Sequence, residues 1–387
     1  MSANFDTIIK ANLLVLFAAL GTISCDQKDR PADSPRESSA RTELSILTWS
    51  DYLVPEVVER FESESGATVR VTEVENSERL IQVQAEKPGS FDVIIADNDS
   101  VSKLKELSLI ASINHELVPE FERIAPEFRN LWFDPKNQFS VPYLWGATGI
   151  AYRKSAVPGG IDSWGALWDP KLKGHVAIID EPVDMYYIRL LADGVDPGEA
   201  GVGDFESARK SLADFFSGMQ GRMTDYMTAL DLLEAGRMDV VVTYGGDAAQ
   251  RMCGNPDIDF VIPKEGSLLW LDSFVISRDS PNRRLAHQFL NFMSRPDIAG
   301  ISSNELKFAS PNLAAKELID PALSGDPNLY PDRKLLEKCW FINFSAGNRQ
   351  VVEQEVVKLF EELRSRGVSI GVEEVAAHQG LEPHVSE

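Results

Sequence analysis

The chain has 387 residues, with 60 Asp and Glu against 38 Lys and Arg and a formal net charge of −22. That balance repels a phosphate backbone, so nucleic acid is not expected as a partner, and it favours cationic partners. Hydrophobic residues make up 43% and charged residues 25%, ordinary globular proportions in a chain long enough for two domains.

Lys10 precedes the apolar run Ala11–Leu20, which is too short to span a bilayer and has the length of a signal-peptide core. Residues 1–24 are therefore read as a signal peptide. Leu20-Gly21-Thr22-Ile23-Ser24-Cys25 resembles a bacterial lipoprotein cleavage site, with Thr22 where Leu is commonest and Asp6 weakening the positive start. The resemblance implies a lipid on Cys25 and attachment to the membrane; the alternative is an ordinary signal followed by an incidental cysteine. Asp26–Thr42 is rich in Ser, Pro, Asp and Arg and cannot bury a core, so residues 25–43 are expected to be a flexible tether. An exported chain meets an oxidising compartment, where Cys253 and Cys339 could pair or remain two buried thiols. The five histidines are scattered and no Cys/His spacing suggests a zinc site, so neither metal nor cofactor is expected.

Structure is expected to begin at Leu44. Leu44–Trp49 is near-continuously apolar and β-branched, and it stops on Trp49, Ser50, Asp51 and Tyr52. A buried strand ending this way delivers binding groups to the carboxyl edge of a sheet, where open α/β sheets hold ligands. Val54, Val57, Val58 and Phe61 mark one face of a helix with Pro55 in its first turn and Gly66 at its end. Thr68–Val74 reads as a strand, Ser77–Glu86 as a helix, and Phe91–Ala96 as a second buried strand ending in Asp97, Asn98, Asp99 and Ser100. Alternating strands and helices predict a parallel α/β sheet. Gln138–Tyr152 exceeds an ordinary strand and is read as a chain crossing between domains. A second series follows, with strands at His175–Ile179, Met238–Thr243 and Leu268–Ile276. Helices are expected at Val183–Ala192, Phe205–Phe216, Tyr226–Ala235 and Arg284–Met293, and further helical pattern runs through Asp332–Gly367. Residues 367–387 are read as a loose tail.

Three further strand ends combine acids with aromatics. Asp180, Glu181 and Asp184 follow Ile179; Tyr244, Gly245, Gly246 and Asp247 follow Thr243; Trp270 and Asp272 share one face of an apolar strand. Each has a plainer account. The acids after Ile179 could complement a helix N-terminus, Gly245-Gly246 could be a turn, and Asp272 could sit in a buried ion pair. There is no Gly-x-Ser-x-Gly, phosphate-binding loop or dinucleotide fingerprint, and no pair of acids is singled out as a glycosidase pair. Tyr186-Tyr187 resembles the adjacent tyrosines of exported ferric-ion binders, although neighbours on a helix diverge by about 100°. Aromatics and carboxylates without a nucleophile, base or metal suit the capture of an organic cation.

Taken together, these residues resemble the polyamine-binding (spermidine/putrescine) solute receptors of bacterial ABC importers. The markers run in family order from Leu44 to Leu359: Trp49-Ser50-Asp51-Tyr52, Phe91-Asp92-Val93-Ile94-Ile95, Val141–Thr148, Pro263–Gly266 into Trp270–Ser273, Arg295-Pro296-Asp297 and Pro311–Ala315. The resemblance implies the periplasmic-binding-protein type II fold, two α/β domains with the ligand in the cleft between them. It places the first domain at 44–146 plus 271–315 and the second at 147–270 plus 316–366. By position, Trp49, Tyr52, Tyr244, Trp270 and Phe308 would form an aromatic box. Asp51, Asp99, Glu181, Asp184, Asp247 and Asp272 would hold the amines, with Ser50 and Asp97 nearby. Three departures stand out. Asp97–Ser100 is more acidic than the family's usual Ser, Thr or Tyr; Tyr244 replaces a usual Trp, and Phe308 replaces a usual Tyr. The implied protein is a non-enzymatic, monomeric receptor, periplasmic or at the cell surface, that delivers a polyamine to an inner-membrane ABC permease. A receptor for another cationic solute or ferric ion, and a polyamine sensor for a membrane signalling protein, are the alternatives.

Overall fold

The computed structural model describes residues 43–74, 76–341 and 348–368. The signal peptide, Cys25, the tether and nearly all of the predicted tail lie outside the described residues. Among the described residues, no helix is long and apolar enough to cross a membrane.

Eleven strands are described: β1 (Glu43–Trp49), β2 (Thr68–Val74), β3 (Val93–Ala96), β4 (Ile110–Ala111), β5 (Ser140–Arg153), β6 (Val176–Ile179), β7 (Gly221–Thr224), β8 (Val240–Tyr244), β9 (Ile258–Val261), β10 (Leu268–Ser277) and β11 (Trp340–Phe341). They follow the path β2-β1-β3-β10-β5-β8-β6-β7, with β4 and β11 added on β10 and β9 added on β5. β1 is buried along its centre because Leu44, Ile46 and Leu47 are apolar and strands flank it on both sides. Its parallel neighbours are reached through right-handed crossover helices, as the alternation in sequence predicts.

The long run read as a crossing is β5. Its first half, Ser140–Ala147, pairs antiparallel with β10, and its second half, Thr148–Arg153, pairs with β8 and β9. β10 runs back beside it. One buried cluster gathers Leu44, Ile46, Phe61, Ile94, Phe274 and Phe289, and runs on into Val241, Ala248 and Phe260. A second gathers Trp164, Tyr186, Phe205 and Phe216 with Val352, Leu359 and Leu363 of the C-terminal helix Asn348–Ser365. Each fully buried Phe or Leu contributes about 1.5–3 kcal/mol, so every one of these strands and helices is held by what it packs against.

Three helices depart from expectation. Asn98–Glu106 starts inside the polar cluster that ended a predicted strand, because Asp97 is its N-cap. Gly245–Gly254 starts at once on two glycines. Pro296, expected only to end a helix, is the first residue of a new one, Pro296–Leu306, where its missing N–H costs nothing. The thiols differ too. Cys253 is exposed and Cys339 half-buried, both free, and the Cys339 thiol turns back onto the Leu335 carbonyl at 3.3 Å. No disulfide joins them.

The start of β5 is held by one carboxylate. Asp134, 2% exposed, accepts from the backbone N–H groups of Gln138 (3.0 Å), Phe139 (2.8 Å) and Ser140 (2.9 Å) and from the Ser140 hydroxyl (2.9 Å). Asp134→Ala leaves these donors unmatched and is expected to lower the unfolding free energy by about 3 kcal/mol, read from urea denaturation.

Candidate functional site

The site is built where β1, β3, β8 and β10 end or cross. Trp49 closes β1, half-buried, and Tyr52 lies three residues on. The Tyr52 hydroxyl donates to the Asp272 carboxylate in the middle of β10. Asp272 is only 6% exposed. A β-bulge aims it: Asp272 faces Leu144 of β5 while Ser273 faces Pro142, so Tyr143 is the extra residue. The Tyr143 hydroxyl in turn donates to the Tyr52 carbonyl at 3.3 Å.

Around this pair the predicted aromatics form a continuous run. Ring centroids of Trp49 and Tyr52 lie 5.5 Å apart at 88°, Tyr52 and Phe308 6.0 Å, Phe308 and Trp270 5.2 Å at 84°, and Trp270 and Tyr244 6.0 Å at 79°. These edge-to-face and tilted contacts leave ring faces available to a cation. Sequence reasoning did not assign Tyr143, 5.8 Å from Tyr52, or Tyr226, 6.2 Å from Tyr244. Tyr143 lies inside the quoted Val141–Thr148 stretch, and that was its only signal. Tyr226 had none beyond opening a helix.

Negative charge collects here without matching cations. Burial pushes the Asp272 carboxyl up to about 8; the Tyr52 hydrogen bond opposes the shift, and the charges of Asp97 and Asp247 add to it. Burial, then Asp97, pushes Asp99 up to about 8, eased by Arg349 of the C-terminal helix. Asp247 rises to about 7 through burial, against Arg251. Glu181 and Asp184 both rise through burial, and Glu181 also feels Asp184, Asp180, Asp97 and Asp99. Glu181 is open to solvent and yet ringed by protein, the combination that a cleft wall gives. One Asp99 carboxylate oxygen and the Trp270 indole N–H are buried without a hydrogen-bond partner among the described residues. Burial and the charges of Glu181, Asp184 and Asp247 hold Tyr244 protonated. Acids from both strand series thus act on one another and on the aromatic run.

Some predicted residues do other work. Asp97 accepts from the N–H groups of Asp99 and Ser100 and from the hydroxyls of Ser77 and Ser100, which saturates its four acceptor sites. It caps a helix and adds charge at a distance. Ser50 and Asp51 are exposed; Asp51 is left-handed at φ 56°, with its N–H on Glu73 at 3.1 Å, and its charge reaches Tyr226. Tyr186 and Tyr187 are buried, the Tyr186 hydroxyl donating to the Glu355 carbonyl at 2.6 Å, so the pair is core. Among the described residues no group of three His, Cys, Asp or Glu is placed to hold a metal ion.

A family model for bacterial extracellular solute-binding proteins matches residues 56–330, and the chain belongs to that family. It is 29% identical over 319 residues to the spermidine/putrescine-binding periplasmic protein of Escherichia coli strain K12, covering 82% of this chain and 91% of that one. It is 26% identical over 316 residues to a norspermidine sensor of Vibrio cholerae, covering 79% and 85%. The solved spermidine/putrescine ABC transporter substrate-binding protein of Streptococcus pneumoniae matches it with a TM-score of 0.76 at 26% identity, over 84% of this chain and 99% of that one. The fold is the periplasmic-binding-protein type II fold.

A carboxyl whose folded pKa is raised keeps its proton after the unfolded chain has lost it, so stability falls as pH rises between the two values. With Asp99 and Asp272 near 8 and Asp247 near 7, the ligand-free protein is expected to melt highest at about pH 5–6 and markedly lower above about pH 8. A pH series of melting curves checks this, and the double variant Asp99→Asn, Asp272→Asn should flatten the fall.

Proposed function

We propose that this protein is the extracytoplasmic receptor of an ABC importer, and that its ligand is a linear polyamine of the putrescine or spermidine class. One observation carries the reading. Asp272 is a buried carboxylate inside a run of five aromatic rings, its hydrogen bond comes from a neutral tyrosine, and among the described residues no cation pairs with it. A buried charge without a partner is costly, and a ligand ammonium is the partner it lacks. Such a group would gain a charge-assisted hydrogen bond worth about 1.5–3 kcal/mol and ring-face contacts worth about 0.5–2 kcal/mol each. Asp99, Glu181 and Asp184 would hold the far amine, so the spacing between the two acid stations selects chain length. Nothing in the site supplies a nucleophile; capture and release are its chemistry.

In this reading the lobes are residues 44–146 with 271–315, and 147–270 with 316–366. The lipid on Cys25 and the tether after it keep the receptor near its permease. The relationship to a norspermidine sensor makes sensing the second reading, which shares the ligand and differs in what recognises the closed form.

Spermidine or putrescine is expected to raise the melting temperature, because a ligand of the folded state alone must stabilise it. A panel of di-, tri- and tetra-amines without any shift, alongside another solute that gives one, removes the polyamine reading. Asp272→Asn is expected to weaken binding at least about a hundredfold while the fold stays cooperative, the loss of one buried charged hydrogen bond. Binding at neutral pH should also release protons, since an ammonium favours the ionised acids. Calorimetry in buffers of different ionisation enthalpy reads that number directly, and affinity should rise with pH through about 7 to 8.

A further inference from the structure

The helix Gly245–Gly254 follows β8, and Phe308 follows the helix Pro296–Leu306. In the two-lobe reading they belong to opposite lobes. They meet along one face. A Cβ built on Gly246 would stand closer than 3.0 Å to the Phe308 ring, so the ring lies directly on the backbone of that helix's first turn. One turn later on the same face, the Gln250 amide donates to the Leu306 carbonyl at 3.0 Å. Phe308 is itself held: Lys307 turns left-handed at φ 63°, and the Ser303 hydroxyl donates to the Phe308 carbonyl. The ring cannot retreat without unwinding that helix end.

Gly246 is an odd choice on local grounds. Its φ is not among the positive ones, and glycine inside a helix is less favourable than alanine. Phe308 supplies the reason that helix propensity does not, because with any side chain at 246 the ring and the helix must move apart. Phe308 touches both Tyr52, which donates to Asp272, and Trp270, so that distance also fixes the width of the aromatic run.

We propose that Gly246 sets how far the cleft closes: its missing side chain lets Phe308 seat against the opposite lobe, and this contact determines residence of the ligand. The inference rests on the polyamine reading for its ligand but not for its geometry. Gly246→Ala is expected to leave the ligand-free melting temperature unchanged or raised, since alanine is the better helix former. The same variant should weaken spermidine binding by at least about tenfold, mainly through faster dissociation. In a Phe308→Ala background, where the clashing ring is gone, the same substitution should have no further effect.

The double-mutant cycle is measured by calorimetry and stopped flow with spermidine, beside small-angle scattering of each ligand-free variant. Unchanged affinity in Gly246→Ala, or an equal loss in the Phe308→Ala background, overturns the role of Gly246; the latter would mean that the substitution acts through neighbouring Asp247. If the wild-type protein binds no polyamine, the ligand reading fails. Scattering then decides the closure role, which an unaltered profile in Gly246→Ala overturns.

Discussion

A carboxylate held in an aromatic enclosure, with a tyrosine hydroxyl for company, is the constraint on which the rest depends. Asp272 is neither paired with a cation nor fully hydrated, and it keeps like-charged neighbours. Such a group is tolerated only because β10 is locked among β3, β4, β5 and β11, which pin its backbone from both sides. The sheet supplies rigidity that the charge itself would undermine. Stability is given up at the one place where a cation can restore it, which is how a binding site comes to prefer its occupied state.

The same economy shows in the acids around it. Asp97 and Asp99 lie two residues apart on one helix start and have opposite fates. Asp97 turns inward to four donors and becomes structural, whereas Asp99 is left with an unmatched oxygen. An N-cap consumes acceptor capacity, so a run of acids at a strand end does not contribute equally to a ligand site. Helix geometry decides which of them faces the cleft.

Much of the fold was legible because burial leaves a periodic trace. Thr68–Val74 and Ser77–Glu86 were bounded as they occur, and the length of Gln138–Tyr152 revealed β5 as a crossing strand. The aromatic run was legible only through resemblance, since the spacing of Trp49, Tyr244, Trp270 and Phe308 along the chain says nothing of their meeting. What stayed hidden depended on tertiary context. The Tyr143 bulge needs the partner strand to exist, the role of Asp97 needs the helix it caps, and Arg349 reaches Asp99 from far along the chain. Pro296 misled because proline ends helices and begins them with the same ring.

The central place of β10 also sets a clock. The sheet that contains β1 and β3 cannot be finished until β10 has been synthesised, more than a hundred residues after the first half of β5. The core around Phe205 and Phe216 waits longer still, for Leu359 and Leu363 of the C-terminal helix. Both halves are therefore dominated by contacts distant in sequence, which slow folding and deny a partial chain any complete core. A nascent chain of this topology stays open until almost all of it is available. For a protein that must be threaded across a membrane before it can work, late folding is an advantage written into strand order.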